Sequence, residues 1–169
     1  MVINKKVTIV STSKEHIIGY NLAVDSVSKE HKYLSFLEGP SIEMSREFVF
    51  KHIKENLPHY VALIDNQVIG WCDITPVDRP VLKHSGVLGI GIIAPFRGQG
   101  IGELLIKTAI DKAKKIGLTR IELMVFETNT SAINLYKKLG FQVEGLHRNA
   151  ILINGQYENQ VSMALLFND

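Results

Sequence analysis

One cysteine, Cys72, is all the thiol this chain contains. An intrachain disulfide is thereby excluded, which suits a reducing compartment, and the cytoplasm is the expected location. Charge of one sign is missing as well. Nineteen Lys and Arg stand against 17 Asp and Glu, a net charge of +2 with no dense basic run, so nucleic acid is not an expected partner. The six histidines have no metal-ligand spacing, and no metal is expected. No long apolar segment follows Met1–Lys6, so neither a signal peptide nor a spanning helix nor a membrane partner is expected. Repeats and low-complexity tracts are absent too. What remains, 46% hydrophobic and 21% charged over 169 residues, is the composition of one ordinary globular domain able to bury a core.

Periodicity supplies the order of elements. Val7–Val10 is a β-branched run and reads as a first strand. Ile17, Leu22, Val24 and Val27 recur at helical spacing between Ser13 and about Lys29, and a second helix from Ser41 is stopped by Pro58. Tyr60–Ile64 and Val68–Ile74 flank the polar turn Asp65–Gln67 as a hairpin. Val87–Ile93 is the next strand; Gly89 and Gly91 within it predict a bulge or a close backbone approach. A helix from Ile101 ends at Gly117, Arg120–Phe126 is a strand, and a helix capped by Asn129 or Thr130 runs through Leu139 to Gly140. Phe141–Gly145 and Tyr157–Leu166, turning at Asn154 and Gly155, close the chain as strands. The order reads βααββββαβαββ or close to it, an α+β domain with a mostly antiparallel sheet and no linker.

The most informative stretch is Ile90–Gly102, where an apolar strand meets a turn carrying Arg97, Gly98, Gln99 and Gly100 and a helix opens at Ile101 and Gly102. The first N–H groups of a helix have no partner inside it, the helix dipole adds positive charge, and glycines let the main chain approach a phosphate. Taken alone, three glycines also fit a plain turn. A Walker A loop fails because Glu103 follows Gly102 where Lys is required. A dinucleotide fingerprint fails because the sixth position counted from Gly98 is Glu103.

Arg97-x-x-Gly100-x-Gly102 resembles instead the pyrophosphate loop of the GNAT superfamily of acetyl-CoA-dependent N-acetyltransferases, Gln/Arg-x-x-Gly-x-Gly/Ala. Asn129–Phe141, one helix and one strand downstream, is similar to the second signature of that superfamily. Glu144-Gly145-x-His147-Arg148 and the stretch from Gly155 to Met163 further resemble bacterial members acting on ribosomal-protein N-termini, polyamines and free amino acids. The resemblance implies a single N-acetyltransferase domain over residues 1–169, a mixed, mostly antiparallel sheet splayed between its fourth and fifth strands, and helices on both faces. Homodimers are common in the family.

The implied donor is acetyl-CoA, with its pyrophosphate on the N–H groups of Arg97–Gly102 and charge added by Arg97. Its pantetheine arm would pair with Ile90, Gly91 and Ile92 as an added strand. Asn129 either meets pantetheine or caps its helix; Asn134 lies beside it, and Lys137 faces the nucleotide. Tyr136 takes by resemblance the role of general acid toward the CoA thiolate, its alternative being a core tyrosine. In the members acting on ribosomal proteins the base is a Glu where this chain has Met124. Glu122, on the same face two residues earlier, is either a substitute base or a salt-bridged strand residue, with His84, a water chain and, more weakly, His147 as rivals. Acceptor contacts are expected from the first two helices, Glu30–Tyr33 and the Asp73–Arg79 loop, with Glu30, Tyr33, Trp71 and Asp73 able to line an amine site. The expected activity is acetyl transfer to the primary amine of a small molecule, an amino acid or a peptide N-terminus. A non-catalytic acyl-CoA-binding or sensing module is the alternative.

Overall fold

The structure, a computed structural model, describes residues 6–167, so the N-terminal stretch read for a signal peptide lies outside it except for Lys6. The elements are β1 (Thr8–Ser11), α1 (Ile17–Ser28), α2 (Ile42–Lys54), β2 (His59–Ile64), β3 (Gln67–Pro76), β4 (Ser85–Ile92), α3 (Ile101–Lys115), β5 (Arg120–Phe126), α4 (Thr130–Lys138), β6 (Gln142–Ile153) and β7 (Gln156–Leu166). Three strands, not four, separate the second helix from the third. Local chemistry explains most boundaries. The Ser41 hydroxyl caps α2 by accepting from the Met44 N–H at 3.2 Å, and the Asn129 carbonyl oxygen caps α4 by accepting from Ala132 N–H at 3.3 Å. Asp65 and Asn66 both take left-handed φ, 49° and 63°, as the two central residues of a tight hairpin turn must. β6 runs eight residues past its expected end at Gly145, because its register shifts between His147 and Ile151 let an irregular, exposed ribbon stay paired with β7.

The strands form one mixed sheet in the order β1-β2-β3-β4-β5-β7-β6, with α3 and α4 on one face and α1 and α2 on the other. Alternation within β3 serves both faces at once. Cys72 and Ile74 pack toward Leu105, Ile106, Ala109 and Ala113 of α3, while Trp71 packs with Tyr20, Val24 and Val49 of the other pair. This double burial makes the run from Val68 to Ile74 almost continuously apolar, with Asp73 its one charged residue.

The single parallel pairing decides where a site can form. β4 and β5 join only through Ser85–Arg120, Gly86–Ile121 and Val87–Glu122. β4 then continues against β3 to Ile92, and β5 against β7 to Phe126. Residues 88–92 and 123–126 therefore present unpaired edges to each other across a V-shaped cleft, the splay expected between the fourth and fifth strands. Such edges carry N–H and C=O groups that need a partner. The glycines of β4 did not produce the expected bulge, since the β3–β4 register is unbroken from Gly70–Ile92 to Pro76–Gly86. Close approach is their use. A Cβ on Gly91 would fall inside the Trp71 ring, and one on Gly89 would stand 3.1 Å from Asp73 Oδ1.

Candidate active site

At the open end of the cleft the chain leaves β4, makes a helical turn at Ala94–Phe96, and enters α3. Gly98 and Gly100 adopt φ of 72° and 78°, and nothing lies within 4 Å of a Cβ placed on either, so backbone conformation alone selects glycine there. Among the described residues, the N–H groups of residues 98–103 donate to no protein acceptor. The Arg97 N–H does have one, the Ala94 carbonyl at 3.4 Å, so the free set starts one residue later than the motif suggests. Gly102 brings this helix start close to α4, where its Cβ position is 3.4 Å from Leu135 Cδ2.

The Arg97 side chain points away from that role. Its Nε donates to the Ile92 carbonyl at 2.8 Å, and its two terminal nitrogens donate to the Glu30 carboxylate at 2.8 and 2.5 Å. The guanidinium carbon lies 4.4 Å over the Tyr33 ring. A bidentate pair of this kind orders the segment after α1 against the end of β4, and it holds the Glu30 carboxyl below its usual range. Glu30 and Tyr33, expected among acceptor contacts, form a brace with Arg97. The sequence offered no local sign of it, because the partners are 67 residues apart.

Tyr136 faces inward from α4, 7% exposed, its ring centre 5.7 Å from that of Phe141. Burial, aided by the Cys72 thiol, drives its phenol upward from the ordinary value, so it is fully protonated at neutral pH. Asn134 and Lys137 are exposed on the same helix. Asn129 spends its carbonyl oxygen on the cap. Glu122 is paired with Arg120 at 3.1 Å, and Arg120 also binds Glu144 at 2.6 Å, so the candidate base sits in a three-residue ion network. His84 is exposed before β4, and His147 meets the Ser162 hydroxyl at 3.2 Å on the outer ribbon.

Under α1 and α2 lies a polar group that sequence reading reached only through Asp73. Asp73 is 8% exposed; its Oδ2 lies 3.4 Å from the Thr75 hydroxyl, which lies 3.0 Å from His52 Nε2. Burial raises the Asp73 carboxyl to about 7, against a smaller lowering by Thr75. His59, 4% exposed, has both ring nitrogens without partners among the described residues, and burial takes it down to about 3. The signal for this cluster was an acid inside an apolar strand, a costly placement without a use. A groove of about 420 Å³ lined in part by Thr75, Lys51 and Asp78 opens beside it, away from the glycine loop. No group of three or more His, Cys, Asp or Glu among the described residues is arranged to hold a metal.

The profile of the acetyltransferase (GNAT) family matches residues 24–141. The chain belongs to that family. The chain is 33% identical over 112 residues to the L-amino acid N-acetyltransferase AaaT of Escherichia coli strain K12, covering 66% of this chain and 69% of the relative. It is 28% identical over 152 residues to the spermidine N(1)-acetyltransferase of the same strain, covering 89% and 77%. The crystal structure of a GNAT superfamily phosphinothricin acetyltransferase from Sinorhizobium meliloti in complex with AcCoA superposes with a TM-score of 0.90 at 18% identity, covering 96% of this chain and 89% of that one. This acetyltransferase therefore has acetyl transfer from acetyl-CoA as its reaction class.

Proposed function

We propose that this enzyme moves an acetyl group from acetyl-CoA to the primary amine of a small amine, an amino acid or a peptide N-terminus, by direct attack. The observation that carries the reading is the alignment of two kinds of unsatisfied main chain, the free N–H groups of residues 98–103 and the unpaired edges of β4 and β5. A diphosphate suits the first, at Gly98, Gln99, Gly100, Ile101 and Gly102. An extended chain of amides suits the second, along Ile90, Gly91 and Ile92. Asn134 and Lys137, two of the exposed polar residues on α4, are assigned to the outer part of the donor, and Asn129 is assigned to the cap. The contribution of Arg97 is then its brace on Glu30.

With the donor laid in the cleft, Tyr136 is assigned as the general acid that protonates the departing thiolate, a task for a phenol that holds its proton at neutral pH. Two carboxylates compete for the base. Glu122 is held by Arg120, and Asp73 is held only by a hydroxyl. The named acceptors of the relatives, L-amino acids and spermidine, are both primary amines and support that substrate class. The unpaired, buried Cys72 supports a cytoplasmic setting, and the same reading takes residues 1–169 as one domain. Thiol release from acetyl-CoA, followed across a panel of amino acids, polyamines and peptides, tests the proposal. Saturable release with one class is expected, and none with any amine would end it.

A further inference from the structure

The rows of the sheet show which side chains meet at the point where the cleft opens. Thr75, Val87, Glu122 and Ala164 form the last row in which β4 and β5 are still joined. Two residues along each strand, and so on the same face, the next row has Asp73 and Gly89 on one wall and Met124 and Ser162 on the other. Asp73 is thus the carboxylate in the first open row. Gly89 leaves no side chain between it and the cleft, and Oδ1 has no hydrogen-bond partner among the described residues.

The hydrogen bonds behind Asp73 restrict its proton. His52 Nδ1 lies 2.9 Å from the Phe48 carbonyl, which can only accept, so Nδ1 carries a hydrogen. Thr75 has one hydroxyl hydrogen, and it is directed to Asp73 Oδ2 at 3.4 Å, where it favours the carboxylate, with His52 Nε2 at 3.0 Å on the far side of the hydroxyl. An imidazolium strengthens this arrangement, because Nε2 then donates to Thr75 and leaves the Thr75 O–H for Asp73.

We propose that Asp73 is the general base for the acceptor amine, with Thr75 and His52 as positioning residues that set its protonation. The inference rests on the amine-acetylating reading above. The acceptor arrives as an ammonium ion, and the Asp73 carboxylate takes one proton from it. The nitrogen lone pair forms the C–N bond, the C–S bond breaks with its electrons on sulfur, and Tyr136 gives its proton to that sulfur. The proton still on the new amide nitrogen returns to the Tyr136 phenolate. Asp73 releases its proton past Thr75, which lines the open groove with Lys51 and Asp78. The sum is one amide, one free thiol and one proton released.

The surrounding groups do not compete for that proton. Tyr20 of α1 and Cys72 are both pushed up by burial and by the Asp73 charge, and His59 of β2 stays neutral. His52 is pushed down by burial, with Lys51 lowering and the Phe48 carbonyl and Glu55 raising it. His16 acts on His59 rather than on Asp73.

The test is the pH profile of kcat/KM for thiol release by the full chain. The wild-type profile is expected to fall on the acid side with an apparent pKa near 7. Asp73→Asn should lower kcat by ~100-fold or more and abolish that limb, leaving acetyl-CoA affinity by calorimetry unchanged. Thr75→Val should move the limb to higher pH and Thr75→Ser should restore it, which keeps the test alive if the Asp73 variant fails to fold. An unchanged limb in Asp73→Asn, or its loss in Glu122→Gln instead, overturns Asp73 as base. A wild-type protein that binds acetyl-CoA but releases thiol with no amine overturns the acetylation reading itself, and this inference with it.

Discussion

Between Ile90 and Gly102 the site is made of main chain, whereas beneath α1 and α2 it is made of side chains. The first region offers N–H groups and strand edges, and glycines at 98 and 100 keep them clear. The second offers a carboxylate, a hydroxyl and two imidazoles packed with Tyr20, Phe48 and Trp71. Main-chain recognition suits one invariant partner with diphosphate and amide groups, because every residue carries the same donor and acceptor. Side-chain recognition can be re-specified by substitution. The difference teaches why a donor site can be read from a motif and an acceptor site cannot.

Tyr136→Phe joins the two regions and should give the largest effect. We expect kcat to fall by ~100-fold or more, with acetyl-CoA affinity held, since the lost hydroxyl has no role in donor binding. Calorimetry beside single-turnover thiol release separates these, and a normal rate would remove the acid.

On the side-chain side, His59 should make stability pH-dependent. Its folded value of about 3 lies below the ordinary 6.5, so below 6.5 the unfolded chain binds a proton that the folded one refuses. The His59 contribution to stability is then complete above 6.5 and declines toward pH 3, by up to ~1.4 kcal/mol for each pH unit. Asp73, raised to about 7, works in the opposite sense over the same range, so urea midpoints between pH 7 and 5 should be nearly level in the wild type and should rise as the pH falls in His59→Gln. Equal slopes in both proteins would show that the imidazole is protonated in the folded state.

Gly100→Val probes the main-chain side. Its Cβ meets nothing within 4 Å, so the whole cost is the left-handed backbone at φ 78°, ~1–2 kcal/mol. Acetyl-CoA should bind ~5–30-fold more weakly as the loop relaxes. Gly117→Val, at φ 90° beyond the far end of α3, carries similar strain and should lower Tm without changing affinity. Equal losses of affinity in both variants would mean that the loop is not special.

The smallest effect is expected at Asn129. Removing the cap in Asn129→Ala should cost ~1 kcal/mol, a loss of ~2–4 °C in Tm. Asn129→Asp keeps an accepting oxygen and should restore both Tm and the KM for acetyl-CoA. Recovery of Tm with KM still raised would reveal an amide contact to the donor beside the cap.

Much of the fold was legible because its elements carry local signals. Gly117 and Gly140 sit at φ 90° and 95° just past α3 and α4, Pro58 precedes β2, and the Asp65–Asn66 turn closes the hairpin. β6 was read short because an exposed ribbon with register shifts has little periodicity to detect. The glycines of β4 left a bulge and a close backbone approach both open because sequence separates a strand from its neighbour; only pairing with β3 reveals the close approach, with Trp71 and Asp73 lying across them.

By itself, then, the sequence determined the element order but for one strand too many before the third helix, the glycine turn and the family, all of which rest on contacts within a few residues or on two motifs in register. Tertiary structure alone decided that Arg97 braces Glu30, that Arg120 occupies Glu122, and that Asp73 stands in the first open row of the cleft. The physical reason is range. A helix cap or a left-handed turn is settled by neighbours in the chain, but the freedom of a carboxylate is settled by whichever cation or hydroxyl the folded sheet brings beside it.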